Sequence, residues 1–352
     1  MQSLYGSALL VFAISVSLGG VILLTQRWHG VLSHDSQIGI QKIHAHPTPR
    51  IGGLPIMLAL FIGLFYSSNA TLASQVLVAA LPAFLAGFIE DITKRVGVRE
   101  RLVATTLSAG LACWLTGYWL TRANVFGLDA LLQAWPVVAI GFTCFAVAGF
   151  ANAMNIVDGF NGLASGLSLI CLTAFAAIAY QVSDYALLQL IVLVMAAIAG
   201  FFVFNFPFGK LFLGDGGAYL LGFLLGWIAI MLPMRHSEVS VWASLLICFY
   251  PVTEVVFTIW RRRYRKHHPA HPDHLHLHSL IHSRVVKKRL TITNPCLKNA
   301  AVSPLVWLFS VGAGLFGSIF YEVTPILALL MSFAIALYLL SYFKIIRIFR
   351  TS

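Results

Sequence analysis

The sequence predicts an all-α integral membrane protein, a single polytopic domain over residues 1–352. Three observations lead there. Apolar residues make up 59% of the chain and charged residues 10%, with a mean hydropathy of +0.87, where a soluble domain carries roughly a quarter charged residues. Apolar stretches long enough to cross or nearly cross a bilayer core recur along the whole chain. Positive charge falls almost entirely in every second connection between them.

The stretches number about eleven, each expected to need about 20 apolar residues. They are Leu4–Leu24, Ile51–Phe65, Ala73–Ile89, Leu102–Leu120, Trp135–Ile156, Leu163–Tyr180, Tyr185–Phe206, Ala218–Leu232, Val239–Trp260, Val302–Phe320 and Ile326–Phe343. The second and eighth are short. No Lys or Arg precedes Arg27, so the positive region of a cleaved signal peptide is missing. Of the 23 Lys and Arg, all but Arg122 and Arg235 lie in the connections after odd-numbered spans or in the C-terminal tail. Because positive charge is retained in the cytoplasm, the N-terminus is expected to be periplasmic and the C-terminus cytoplasmic. The net charge of +11 then belongs to one face, where it attracts anionic membrane lipids or an anionic substrate. Nucleic acid is not an expected partner, because no soluble domain is available to carry it.

The five cysteines follow no disulfide or zinc spacing and read as small packing residues. No internal repeat of the kind that marks a transporter is evident. Histidine is distributed like the basic residues: of twelve, only His236 falls on the outer side. Topology does not require histidine, so this asymmetry points to function.

The inner connections carry the chemistry. The first ends His44-Ala-His46-Pro47-Thr48-Pro49-Arg50-Ile51-Gly52-Gly53, either a stiff entry turn or one wall of a phosphate site with Arg50 or Lys42 as its cation. The third opens with Glu90-Asp91 and continues to Lys94, Arg95, Arg99 and Arg101. Two carboxylates at a helix C-terminus oppose the macrodipole, so they need the nearby arginines, a metal, a proton or a substrate network. The fifth contains Asn152, Asn155, Asp158 and Asn161, and the seventh contains Asn205, Lys210 and Gly214-Asp215-Gly216-Gly217. Asn161 and Asp215 are placed to act as helix N-caps, and glycines at a helix start also suit bound phosphate. The ninth, over residues 259–300, carries seven histidines between His267 and His282. His274, His276 and His278 alternate as they would on one face of a strand; a solvated basic loop and a zinc site are the other readings. Glu254 lies inside the ninth span, so it should be paired with one of Arg261–Arg263 or be functional.

Carboxylates, amides and cations gathered on one membrane face suit a phosphate-rich substrate and a hard divalent cation. Taken in order, these segments resemble the signatures of the polyprenyl-phosphate N-acetylhexosamine-1-phosphate transferases, most nearly the WecA-type branch. The resemblance runs from His44–Gly53 through Glu90-Asp91, Asn152–Gly162 and Gly214–Gly217 to Pro272–His278. It implies transfer of a sugar 1-phosphate from a UDP-N-acetyl sugar to undecaprenyl phosphate with release of UMP, which starts a cell-surface glycan. It also implies a Mg²⁺ cofactor, or Mn²⁺ in its place, and leaves room for a homodimer. Asp215 resembles the principal metal ligand and Asn155 an amide that helps hold the metal. Asp158 and Asn161 match positions near the nucleotide. Asp91 matches a base or lipid-phosphate organiser, with Glu90 in place of the usual Asp before it. His276 and His278 match histidines near the pyrophosphate, His274 stands where many members have Arg, and Arg99 or Arg101 stands for a basic residue after the acidic pair. Lys42, Arg50, Asn205 and Lys210 complete the expected substrate contacts. Ser279 follows His278, so the triple-histidine signature of the peptidoglycan branch is absent. The competing classes are a secondary transporter of an anionic solute and a histidine-rich metal sensor.

Overall fold

A computed structural model describes residues 2–33, 48–66, 70–264 and 275–348. Among these residues the structure is helical throughout, with no β-strand. In chain order the helices are α1 (Gln2–Ser33), α2 (Gly53–Leu64), α3 (Ala70–Thr93), α4 (Val98–Thr116), α5 (Leu128–Ala134), α6 (Pro136–Val157), α7 (Leu163–Gln181), α8 (Tyr185–Asn205) and α9 (Gly214–Arg235). There follow α10 (Val241–Ile247), α11 (Phe249–Tyr264), α12 (Leu277–Leu280), a π-helical turn (Ile281–Val286), α13 (Lys287–Arg289), α14 (Pro295–Ala300), α15 (Val302–Ile319) and α16 (Thr324–Ile348).

Each of the eleven apolar stretches is helical over most of its length, but they are not eleven equal spans. Among the described residues eight helices are long and apolar enough to cross a membrane, and nine if a bent pair counts as one span. Helix α2 has 12 residues, about 18 Å at 1.5 Å per residue, against a hydrocarbon core of about 30 Å. Helix α4 carries Arg99, Glu100 and Arg101 in its first turn, where the hydropathy reading began only at Leu102. The bent pair is α10 and α11, which meet at 80°. Proline explains the break: Pro251 lacks an N–H, and its ring would clash with the carbonyl four residues earlier, that of Ile247. That carbonyl accepts from the Cys171 thiol instead, at 3.2 Å. The ninth stretch is therefore not one straight helix, and the position of Glu254 does not follow from axial rise.

Helix α9 is the axle of the bundle. Its sequence is apolar all round, as befits a helix enclosed by others, and it packs against α2, α3, α4, α6, α7, α8 and α10. Tyr219, Phe223 and Trp227 are fully buried along it. What positions the site is that the N-terminus of α9 abuts the C-terminus of α3. A Cβ on Gly87 would lie 2.6 Å from the Asp215 backbone, and one on Gly53 would lie 2.4 Å from the Gly217 nitrogen. Gly53, Gly87, Gly216 and Gly217 are thus required for close helix packing.

Candidate active site

Asp91 stands in the last turn of α3, where its charge opposes its own helix dipole. Its two oxygens accept the backbone N–H groups of Asp215 and Gly216, each at 2.8 Å. It therefore caps α9 from another helix, and it is only 1% exposed. The expectation that Asp215 is itself the N-cap is corrected here: the cap position is Leu213, with no side-chain cap bond, and Asp215 lies in the first turn. The chain reaches that turn through Gly214 at φ +75°, where a Cβ would sit 2.0 Å from the Arg50 carbonyl oxygen. Both the left-handed backbone and the lack of space require glycine.

Freed from capping, the Asp215 carboxylate collects cations. Arg50 Nη2 donates to its Oδ1 at 2.9 Å, and Asn155 Nδ2 donates to the same oxygen at 3.2 Å. Arg101 Nη1 pairs with Oδ2. The Arg50 backbone is fixed by its N–H to the Ser33 carbonyl and by Phe212 N–H to the Pro49 carbonyl. Arg50 Nε is 3.7 Å from Asp91 Oδ1. The Arg101 guanidinium lies over the Tyr219 ring at 5.6 Å, and the Tyr219 hydroxyl donates to Asn152 Oδ1 at 3.3 Å. At the end of α6, burial pushes the Asp158 carboxyl up to about 7, against the opposing pull of Arg50.

The histidine segment lies beside the end of α6. His276 and His278 stack with ring centroids 5.3 Å apart and planes at 5°. They are not on a strand: His276 is extended, but Leu277–Leu280 is helical. A Cβ on Gly159 would be 3.9 Å from His278 Nε2, so this ring adjoins the turn that follows Asp158. Burial lowers the His278 imidazole to about 4, with the Glu254 charge opposing. Among the described residues no three His, Cys, Asp or Glu are grouped to hold a metal, which weighs against the zinc reading for them.

Other expected site residues are elsewhere. Glu90 Oε2 accepts the Val96 N–H at 2.7 Å and closes the turn after α3. Arg99 and Lys210 are exposed, so Arg101 is the basic residue that reaches the cluster. Asn205 is a staple: its Oδ1 accepts Gly162 N–H and the Ser165 hydroxyl, and its Nδ2 donates to the Leu211 carbonyl. Asn161 donates from Nδ2 to the Pro207 carbonyl and from its backbone N–H to Asn299 Oδ1. The N-cap of α7 is Gly162, not Asn161. Both amides are buried, at 3% for Asn161 and 4% for Asn205, and join loops rather than face the cluster. Lys42 and His274 lie outside the described residues. Glu254 is not held by Arg261–Arg263 as expected; its partners are His276, the Leu277 N–H and Tyr338. Sequence reasoning flagged Glu254 as unusual but missed that it serves the histidine segment, and it missed Tyr219, Tyr250 and Tyr338.

The region that holds Asp91, Asn155, Asp158 and Asp215 also matches a known family: residues 73–233 fit the profile of glycosyl transferase family 4. A phospho-N-acetylmuramoyl-pentapeptide-transferase of Streptococcus pyogenes is 32% identical over 237 residues, 62% of this chain and 68% of the relative. This chain belongs to glycosyl transferase family 4. A family member of Bacillus subtilis, a probable undecaprenyl-phosphate N-acetylglucosaminyl 1-phosphate transferase, is 26% identical over 80% of both chains. Another from Thermotoga maritima, an undecaprenyl-phosphate alpha-N-acetylglucosaminyl 1-phosphate transferase, is 29% identical over 70% of this chain and 72% of its own. The family match begins after Arg50 and ends before His276, so Arg50 joins the site on its contacts with Asp215 and Asp91 alone.

Proposed function

We propose that this protein transfers an N-acetylhexosamine 1-phosphate from a UDP-sugar to undecaprenyl phosphate, releasing UMP. A phosphate oxygen of the lipid attacks the sugar-bearing β-phosphorus. The bond from that phosphorus to the oxygen bridging to UMP breaks, and UMP leaves with the electron pair. The product is a lipid diphosphate sugar. The observation that carries this reading is the Asp215 carboxylate, held between Arg50, Arg101 and Asn155 at the meeting of helix ends from α3, α4, α6 and α9. The names of the relatives supply the acceptor and the phospho-sugar class.

The donor set suits magnesium, or manganese in its place. Asp215 offers a carboxylate and Asn155 a side-chain amide whose nitrogen donates to that carboxylate at 3.2 Å; such hard ions take oxygen ligands with substrate phosphates completing the shell, so Asn155 would present its amide oxygen to the ion once that bond is given up. Bound there, the ion would neutralise diphosphate charge. Arg50 and Arg101 are planar, fixed cations suited to bidentate contact with phosphate oxygens. In the mechanism they orient the diphosphate and stabilise the charge that gathers on the leaving UMP. Asp91 acts as an organiser: both its oxygens accept N–H groups of α9, and nucleophilic attack would require it to leave that cap. A general base is not obligatory, because a phosphate monoester has its second pKa at about 6 and is largely dianionic at neutral pH.

The preferred donor is a UDP-N-acetylhexosamine rather than the muramoyl-pentapeptide form, since Ser279 stands where a third histidine would follow. The site would open to the cytoplasm at the inner membrane, and the product would start an O-antigen, common antigen or related polysaccharide. The test is an assay of purified protein with undecaprenyl phosphate, Mg²⁺ and a panel of UDP-N-acetylhexosamines. UMP and a lipid-linked sugar should form together and cease on chelation. Transport of a labelled anion into vesicles without UMP formation would overturn the reading.

A further inference from the structure

Glu254 is completely buried on α11, and three donors converge on its carboxylate. His276 Nδ1 is 2.9 Å from Oε1, the Tyr338 hydroxyl is 2.9 Å from Oε2, and the Leu277 N–H reaches both oxygens at 3.3 and 3.2 Å. An ionised carboxylate only accepts, so Nδ1 carries the His276 proton and this ring meets any ligand through Nε2. The parallel ring of His278 has a different partner: its Nδ1 faces the Tyr250 hydroxyl at 3.0 Å. Two stacked imidazoles are thus set differently, one on a carboxylate and one on a phenol. Two further groups anchor the segment: the Thr258 hydroxyl lies 3.3 Å from His276 Nδ1, and Arg261 donates to the Leu275 carbonyl.

We infer that Glu254 is a positioning residue for His276. It holds the ring in the Nδ1–H form and balances the positive charge that the ring takes on when Nε2 meets a diphosphate anion. A carboxylate behind an imidazole has this effect wherever the pair orients a reacting or ligating histidine. The inference rests on the proposed transferase reading for the identity of that anion. A purely structural staple would hold the backbone through Leu277 and would be indifferent to the His276 proton.

The experiment uses the full-length protein in detergent, with Glu254→Gln, Glu254→Asp, His276→Asn and the double variant Glu254→Gln/His276→Asn. Glu254→Gln should lower kcat about 10- to 100-fold, with KM for the UDP-sugar within about threefold. Glu254→Asp, which keeps the charge, should retain more activity than Glu254→Gln. The double variant should lose no more than His276→Asn alone, since Glu254 acts through that ring. Wild-type kcat in Glu254→Gln, or fully additive losses in the double variant, would overturn the inference. The wild-type protein decides the matter if Glu254→Gln does not fold. With ¹⁵N-labelled histidine, the signal lost in His276→Asn should show a protonated Nδ1, and an Nε2–H ring with bare Nδ1 would overturn the assignment. That measurement needs no turnover, so absence of UMP release in the wild type would defeat the transferase reading separately.

Discussion

The two ends of α9 carry similar clusters with different consequences. At its C-terminus Asp184 accepts from Arg235 at 2.5 and 3.0 Å, from His236 at 2.9 Å and from the Leu187 N–H at 3.1 Å. Burial raises the Asp184 carboxyl, but the hydrogen bonds from Arg235 and His236 outweigh it and hold the group below the usual carboxylate range. Arg122 donates to the carbonyls of Pro233, His236 and Val239, so cations complement the negative end of the dipole. At its N-terminus Asp91 performs the corresponding task for the positive end. The difference is what remains once the helix is capped. Around Asp184 the carboxylate caps α8 and the cations cap α9. Around Asp215 the capping is done by Asp91, and Asp215, Arg50, Arg101 and Asn155 are left as side chains held by one another. Ion pairing therefore does not distinguish the two ends; the division of labour between two carboxylates does.

The sharpest way to break this comparison is to neutralise each carboxylate. Asp215→Asn should reduce UMP release by the folded fraction by at least about a thousandfold, roughly 4 kcal/mol of transition-state stabilisation. Near-normal turnover would remove Asp215 from the site. Asp184→Asn should do the reverse. It leaves the partly buried Arg235 facing a neutral partner, which costs about 2 kcal/mol of stability, with kcat of the folded fraction unchanged. A loss of kcat without a loss of stability would show that the two ends are coupled. Asp91→Asn keeps one acceptor for α9, so it should cost about 1 kcal/mol and lower activity about 10- to 100-fold. Activity at background in a well-folded Asp91→Asn protein would instead favour a covalent role.

The smallest expected effect concerns His282, which packs against Phe160 at 5.2 Å beside the histidine pair. Burial, aided by the charges of Lys287 and Lys298, lowers its imidazole to about 4 from an ordinary 6.5. Between those values the unfolded chain binds a proton that the folded chain does not, so this group removes stability as pH falls from 6.5 to 4. His282→Phe should therefore become progressively more stable relative to wild type across that window, with no further gain below it. A constant difference in thermal midpoint across that range would show that His282 is not held neutral.

Much of the candidate site was legible because composition and residue type carry it. A chain with this hydropathy must bury its helices in apolar surroundings, and Asp91, Asn155, Asp158, Asp215 and Arg50 were conspicuous as polar residues at the ends of apolar runs. The break between α10 and α11 also had a signal in the sequence, since Pro251 cannot donate to the Ile247 carbonyl, although α3 continues through Pro82. The partners were not legible. Asp91 caps a helix whose first turn is 124 residues further along the chain. Glu254 holds His276 and Tyr338, the latter 84 residues away, rather than the arginines that follow it. Asn161 and Asn205 have the same chemistry as Asn155 but join loops instead of facing Asp215. The sequence alone determined that the chain is helical and apolar, and where along it the charges stand. Only the tertiary structure decided which helix ends abut, and hence which carboxylate is consumed by backbone N–H groups and which is held by side chains. Hydropathy and periodicity are local properties, whereas a hydrogen bond between helix ends depends on the packing of segments far apart in the chain.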